Sequence, residues 1–269
     1  MLAFPETALT GYDVEAEDVP AEERMHCRLA ETIQGNATDE ICKLARKYDM
    51  YVIFGMPERD SEDPAKVYNA AAVCGPDGLI GSCRKLHLPF AEVLWACPGE
   101  RPFLFDTPWG PISVSICYDS YCFPEITRYA RAKGARLHIN CTAICTLESP
   151  GVGGYLGNLA LQYLAMNNNM FIASANLCGR DLTSWFMGGS SIIGPSSTMT
   201  EVFYYGGKPF LSDGADESGI QLAVIDLSDI RHSFMDAVWA GGIEKCDWTP
   251  KRYIEWYKDA MDTDYWKNH

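Results

Sequence analysis

The 269-residue sequence has no surplus of positive charge. Lysine and arginine total 22 against 36 aspartates and glutamates, a formal net charge of −14. Duplex nucleic acid is therefore not an expected partner, because nothing is in excess to neutralise its phosphates. Long apolar runs are also missing; none approaches the ~18 residues that would suggest a membrane span. There is no internal repeat, low-complexity linker or sharp change in composition. The opening Met1-Leu2-Ala3-Phe4-Pro5-Glu6 carries no basic leader and meets a proline at once, so a cytoplasmic location is expected. Cys-x-x-Cys is absent as well. The 11 cysteines are odd in number and are expected to be free thiols in a reducing compartment. Cys141 and Cys145, with His138 nearby, make a weak metal pattern and read better as core thiols.

What is present is an alternation of strand-like and helix-like segments in a chain that is 47% hydrophobic. Thr38 is placed to cap a helix with Ile41, Leu44, Ala45 and Tyr48 on one face. Residues 51–55 follow as a strand. Asn69 to Cys74 and Leu79 to Arg84 read as a hairpin about Gly75-Pro76-Asp77-Gly78. Phe103 to Phe105 and Ile112 to Ile116 are the next strands, and Pro124 opens a helix to about Lys133. Arg136 to Asn140, a helix from Tyr155 to Asn167, and Met170 to Ala175 come next. Ser190 to Pro195, Thr198 to Tyr204 and Ile220 to Leu227 close the sheet region. One domain over residues 1–269, with mixed sheets covered by helices, is the economical reading; residues 245–269 form a C-terminal arm.

Three segments place reactive side chains at strand ends. Phe4-Pro5-Glu6 delivers a glutamate through a proline-stiffened turn. Arg84-Lys85-Leu86-His87-Leu88-Pro89 ends a strand on a lysine. In Ile116-Cys117-Tyr118-Asp119 an apolar run breaks at a cysteine, where open α/β sheets place ligands and nucleophiles. A thiol is a modest nucleophile until a base takes its proton. A partly buried carboxylate is such a base, and an ammonium can hold the oxyanion that follows attack. Each residue alone reads as ordinary; the combination is what carries chemistry. His87 invites a Cys-His pairing with Cys117 but is better read as support for the loop after Lys85, and His138 and His232 read as structural.

Together these strings resemble the nitrilase superfamily of carbon–nitrogen hydrolases. The resemblance runs from residue 1 to about 230. It takes in Leu9-Thr10-Gly11-Tyr12, Phe123-Pro124-Glu125, Pro98-Gly99-Glu100, Asp106 to Gly110, Ala175 to Gly179 and Gly188 to Pro195. It implies a four-layer α-β-β-α sandwich, a homodimer or higher homo-oligomer, and no metal or organic cofactor. It also implies Cys117 as nucleophile, Glu6 as general base and Lys85 as oxyanion stabiliser. The Tyr118 N–H would be a second oxyanion donor, and Glu92, more than Glu100, the further glutamate that orients the site. The reaction implied is cleavage of a small linear amide or carbamoyl compound through a thioester. Tyr118-Asp119 resembles amidase branches more than true nitrilases. The alternatives are a true nitrilase or a catalytically silent subunit used in binding or assembly.

Three departures from the family pattern set expectations. The chain begins almost at Glu6, where a strand-helix lead-in is usual, so the fold is expected to be N-terminally truncated with an open edge beside residues 2–4. One extra residue stands between Cys117 and Phe123, expected in the pocket wall with Cys122 near the nucleophile. Leu164 and Asn167 replace a usual arginine and glutamate, so packing there must differ.

Overall fold

In a computed structural model of the chain, residues 1–12, 17–146, 153–182, 184–196, 201–228, 254–256 and 258–259 are described. The first sheet contains β1 (Leu2–Ala3), β2 (Val52–Arg59), β3 (Val67–Gly75) and β4 (Gly78–Arg84), in that order. β1 runs parallel to β2, and β2, β3 and β4 are antiparallel neighbours. The second sheet is built from β5 (Phe103–Thr107), β6 (Gly110–Ile116), β7 (Leu137–Thr142), β9 (Phe171–Asn176), β12 (Ser191–Pro195) and β13 (Val202–Gly207). Its order is β13-β12-β9-β7-β6-β5, with β6, β7 and β9 parallel. A small antiparallel sheet, β10 (Cys178–Arg180), β11 (Trp185–Met187) and β8 (Cys145–Thr146), stands apart from both. The helices are α1 (Met25–Leu29), α2 (Asn36–Lys47), α3 (Tyr118–Cys122), α4 (Pro124–Ala132) and α5 (Gly153–Asn168).

Side-chain alternation along the strands generates the layers. Ile53, Ala71, Val73 and Cys83 of the first sheet pack against Ile112, Val114, Ile116, Ile139 and Cys141 of the second, forming the core between sheets. The intervening residues Val52, Phe54, Met56, Ala72 and Cys74 face the other way, onto Cys42 and Ala45 of α2. On the far side of the second sheet, Ile172 and Ile193 meet Ala130 of α4 and Leu161, Leu164 and Ala165 of α5. The result is the α-β-β-α sandwich.

Several local expectations change. α2 begins at Asn36, not after Thr38; the Thr38 hydroxyl lies inside the helix and donates to the carbonyls of Ile33 (2.6 Å) and Gly35 (2.9 Å). Its buried face is Thr38, Cys42 and Ala45, while Leu44 and Tyr48 are exposed, because a threonine turned back onto the backbone rotates the stripe. Residues 220–227 form no strand: Ile225 and Leu227 pack on the core, but Ile220, Leu222 and Val224 face solvent. β13 begins at Val202; residues 197–200, His232 and nearly all of the arm at 245–269 lie outside the described residues. At the other end of the chain β1 has β2 on one side and, among the described residues, no strand on the other; Phe4 beside it is 40% exposed. Leu164 sits in the helix-sheet core, and Arg128 and Arg131 instead donate to the carbonyls of Asn167 (3.0 Å) and Asn168 (2.9 Å) at the C-terminus of α5, where cations are favoured.

Candidate active site

Glu6 is carried by a turn laid flat on β2. The Gly55 N–H donates to Pro5 O (3.1 Å), and the Leu9 N–H donates to Gly55 O (3.1 Å). A Cβ at Gly55 would stand 2.3 Å from Thr7 N and 2.4 Å from Pro5 O, so only glycine allows the turn to lie there. Thr7 completes the turn with φ 47°, a left-handed conformation rare for a β-branched residue. The Glu6 N–H reaches across to Thr142 O at the end of β7 (3.4 Å), joining the two sheets at this pole.

Lys85 follows the last residue of β4. Its side chain is buried, and Nζ donates to Glu6 Oε1 (2.7 Å) and Glu92 Oε1 (2.6 Å). Glu92 comes from a 3-10 turn, Phe90–Leu94, and is also buried. Asn69 of β3 bridges the same two acids: Nδ2 donates to Glu6 Oε1 (2.7 Å) and to Glu92 Oε2 (3.0 Å). The Tyr12 hydroxyl donates to Glu92 Oε1 (3.1 Å). Burial works against the Lys85 ammonium, but Glu6 and Glu92 beside it outweigh burial and hold its pKa above the ordinary value. Burial, aided by Glu6, pushes Glu92 up against the pull of Lys85 and Asn69. Two acids around one ammonium leave the cluster with an excess of negative charge, which helps keep Glu92 up.

Cys117 sits where β6 turns into α3, with φ 48° and ψ −103°. Its N–H is shared between Cys141 O (2.9 Å) and Asn140 Oδ1 (3.1 Å). Burial drives the thiol upward and Glu6 adds to this; Lys85, the Thr142 hydroxyl and the Ala143 N–H pull it down without reversing the direction. The resting group is therefore a neutral thiol at pH 7. Tyr118 opens α3, so its N–H has no acceptor within the helix.

Asp119 couples the elbow to the lysine. Its buried carboxylate accepts from the Leu86 N–H (2.8 Å), the His87 N–H (3.0 Å) and lies 2.8 Å from His87 Nδ1. His87 also stacks on Phe123, with centroids 3.4 Å apart. It supports the loop after Lys85 and makes no hydrogen bond to Cys117. The extra residue in this segment completes α3. Ser120 turns inward to Ser115 and to His138 (3.3 Å), and Tyr121 accepts from Asn140 Nδ2 (3.2 Å) close to Cys117. Cys122 is exposed at the helix end. His138 is buried and bonds Ser113 (2.7 Å) and Ser115 (3.0 Å); desolvation pushes it down to about 3, so it is neutral. It lies on the opposite face of β7 from Cys141, which separates the residues of the weak metal pattern. Phe186, paired in β11 with Cys145 of β8, meets Tyr12 edge-on at 6.0 Å, bringing the small sheet to the site.

Glu6, Lys85 and Glu92 are thus joined by direct hydrogen bonds, with Cys117 close enough to feel both Glu6 and Lys85. Asn69, Asp119, Asn140 and Thr142 were not singled out from the sequence. The signal for Asn69 is an amide at the head of an alanine-rich strand that is buried along its whole length.

A four-layer sandwich with a buried acid-lysine-acid cluster facing a strand-end thiol defines a class of cysteine-dependent hydrolase architecture. The family model for carbon-nitrogen hydrolases matches residues 1–232, and the chain belongs to that family. It is 28% identical over 234 residues to a nitrilase of Pyrococcus abyssi, covering 86% of this chain and 79% of that protein. It is 31% identical over 175 residues to the omega-amidase NIT2 of Homo sapiens, 61% of this chain and 60% of that one. An amidase from Nesterenkonia sp. AN1, solved with the acetamide moiety of fluoroacetamide covalently added at its active-site cysteine, aligns with a TM-score of 0.64 at 25% identity, over 85% of this chain and 78% of that chain. The same amidase has been solved with butyramide, with a TM-score of 0.64, 25% identity and coverage of 86% and 80%. The chain is a carbon-nitrogen hydrolase. Among the described residues no helix is long and apolar enough to cross a membrane.

Proposed function

We propose that this protein hydrolyses a small linear amide or carbamoyl compound, releasing ammonia or amine, through a thioester on Cys117. The observation that carries the reading is the asymmetry of Glu6: Oε1 holds the Lys85 ammonium and Asn69, while buried Oε2 has no hydrogen-bond partner among the described residues. A bare carboxylate oxygen close to a neutral, half-buried thiol is the arrangement a general base requires. In the proposed cycle the Cys117 proton passes to Glu6 as sulfur bonds to the amide carbon. The oxyanion takes the Lys85 N–H left over by the two acids, and the Tyr118 N–H. Collapse breaks the C–N bond, and the nitrogen leaves with the proton from Glu6. Water then attacks the thioester, giving a proton to Glu6, and the C–S bond breaks to return the thiol and release the carboxylic acid. Glu92 orients Lys85, and the reaction calls on no metal or organic cofactor.

Butyramide bound to the related amidase supports a small substrate. We also place the protein in the cytoplasm as a homodimer or higher homo-oligomer. The support for the oligomer is an exposed apolar row on α5, Leu156, Leu159, Tyr163 and Met166. Ammonia release from a panel of short amides and carbamoyl compounds, with Cys117→Ala as control, tests the reading. The expected loss in the variant is at least ~10⁴-fold in kcat/KM. No release from any substrate, together with no alkylation of Cys117 at neutral pH, would favour a silent binding or assembly subunit; release from nitriles in place of amides would favour a true nitrilase.

A further inference from the structure

We infer that Asn69 is a positioning residue that makes Glu6 a one-sided base, occupying Oε1 so that Oε2 takes the thiol proton. The inference rests on the reading of Glu6 as general base. Three residues of the charged cluster converge on this one neutral residue, Glu6 and Glu92 through their carboxylates and Lys85 through its main-chain N–H. Its side-chain Nδ2 bridges Glu6 Oε1 (2.7 Å) and Glu92 Oε2 (3.0 Å), and its main-chain oxygen accepts the Lys85 N–H (2.8 Å). The residue is completely buried. With Lys85 also on Oε1 at 2.7 Å, that oxygen carries two donors and is a poor proton acceptor, whereas Oε2 carries none among the described residues. An amide suits the position because its two N–H donors hold two anions without adding charge. A lysine there would neutralise the cluster, and an aspartate would bring a third acid into it.

The groups facing Asn69 are Glu6 from the turn after β1, Lys85 at the end of β4 and Glu92 from the 3-10 turn. Tyr12 faces Glu92, and Cys117, Cys141 and Cys145 feel the Glu6 charge from the other sheets. Removing the bridging donor takes away a hydrogen bond that pulls Glu92 down, so protonation within the cluster begins at higher pH. During attack the Cys117 S–H bond breaks, the proton goes to Oε2, and the same proton later leaves on the amide nitrogen.

The test uses Asn69→Leu, close in volume, and Asn69→Ser, too short to reach either acid; both keep the main-chain acceptor for Lys85. Two pH profiles are measured from pH 4 to 9: kcat/KM for butyramide, and the rate of Cys117 alkylation by iodoacetamide followed by mass mapping. In both variants the acid limb of each profile is expected to move up by about one pH unit, with kcat lowered at least ~10-fold and KM within about threefold of the parent. An unchanged acid limb in a folded variant would overturn the inference and leave Asn69 a packing role, as would failure of both variants to fold. Should the parent release no ammonia, the proposed function falls, while the alkylation profile still decides the role of Asn69.

Discussion

The two sheets bring their halves of the site to the same pole by different physics. The first sheet supplies charge: Glu6, Lys85 and Glu92 are buried, and Lys85 holds the two acids at 2.7 and 2.6 Å. The second supplies a neutral thiol, held by hydrogen bonds to its main chain and by a backbone conformation at φ 48° that costs about 1–3 kcal/mol. The contrast follows from what each half must do. Buried charges are tolerable only when compensated and hydrogen-bonded, so the acids and lysine can be fixed by mutual attraction. In the proposed cycle the thiol changes its charge and bonding at every turnover, and an ion pair tight enough to place it would also resist that change. Asp119 is the joint, accepting from the Lys85 loop while belonging to the Cys117 helix.

Breaking the charged half has the largest expected effect. Lys85→Met leaves two buried acids without their cation, and a loss of about 3–5 kcal/mol in urea unfolding at pH 8 is expected with activity abolished. Because the folded lysine sits above its ordinary value of 10.5, its contribution is fully present below that pH and is lost only as pH rises beyond it. The variant should therefore show its full deficit at pH 8, and a parent-variant gap that opened only above pH 10 would contradict the ion-pair account. Next, Gly55→Ala drives a methyl into Thr7 N and Pro5 O, displacing the turn that holds Glu6. We expect a loss of about 2 kcal/mol and at least ~10² in kcat/KM, since the backbone there cannot yield cheaply. Asp119→Asn tests the joint: one acceptor becomes a donor facing an N–H, costing about 1–3 kcal/mol, with kcat falling at least ~10-fold while Cys117 alkylation persists.

The smallest effect sharpens the neutral half. His138, held down to about 3 beneath the elbow, must remain uncharged for the protein to stay folded. Its pKa is depressed, so its contribution is present above 6.5 and is lost as pH falls toward 3, at up to about 1.4 kcal/mol per pH unit. His138→Gln lacks that slope. The stability gap between parent and variant, measured by thermal unfolding, should narrow from pH 7 to pH 5; a constant gap would show that His138 is charged or exposed.

The strands of both main sheets were legible because apolar and β-branched runs bounded by Gly and Pro specify them locally, as in Asn69 to Arg84 and Ile112 to Ile116. The small sheet at Cys145, Cys178 and Trp185 was missed, since strands of two or three residues carry no periodicity. Residues 220–227 misled for the opposite reason: an alternating pattern shows what a segment can do, and pairing depends on a partner. Within the site, Glu6, Lys85, Glu92 and Cys117 could be picked out by motif because reactive groups at strand ends are local features. Asn69 could not, nor could the bracing role of Asp119, because their partners lie 63, 23, 33 and 32 residues away along the chain.

By itself, then, the sequence determined the layered α/β plan, the absence of a basic surface, and the chemical types that a thiol-dependent hydrolysis needs. Tertiary structure alone decided which oxygen of Glu6 is left bare among the described residues, that the Cys117 thiol rests neutral, and that Ser120 turns in to Ser115 and His138 while Tyr121 meets Asn140. The reason is physical: composition and local pattern set what each segment favours, whereas charge state and hydrogen-bond occupancy depend on burial and on neighbours that only folding brings within 3 Å.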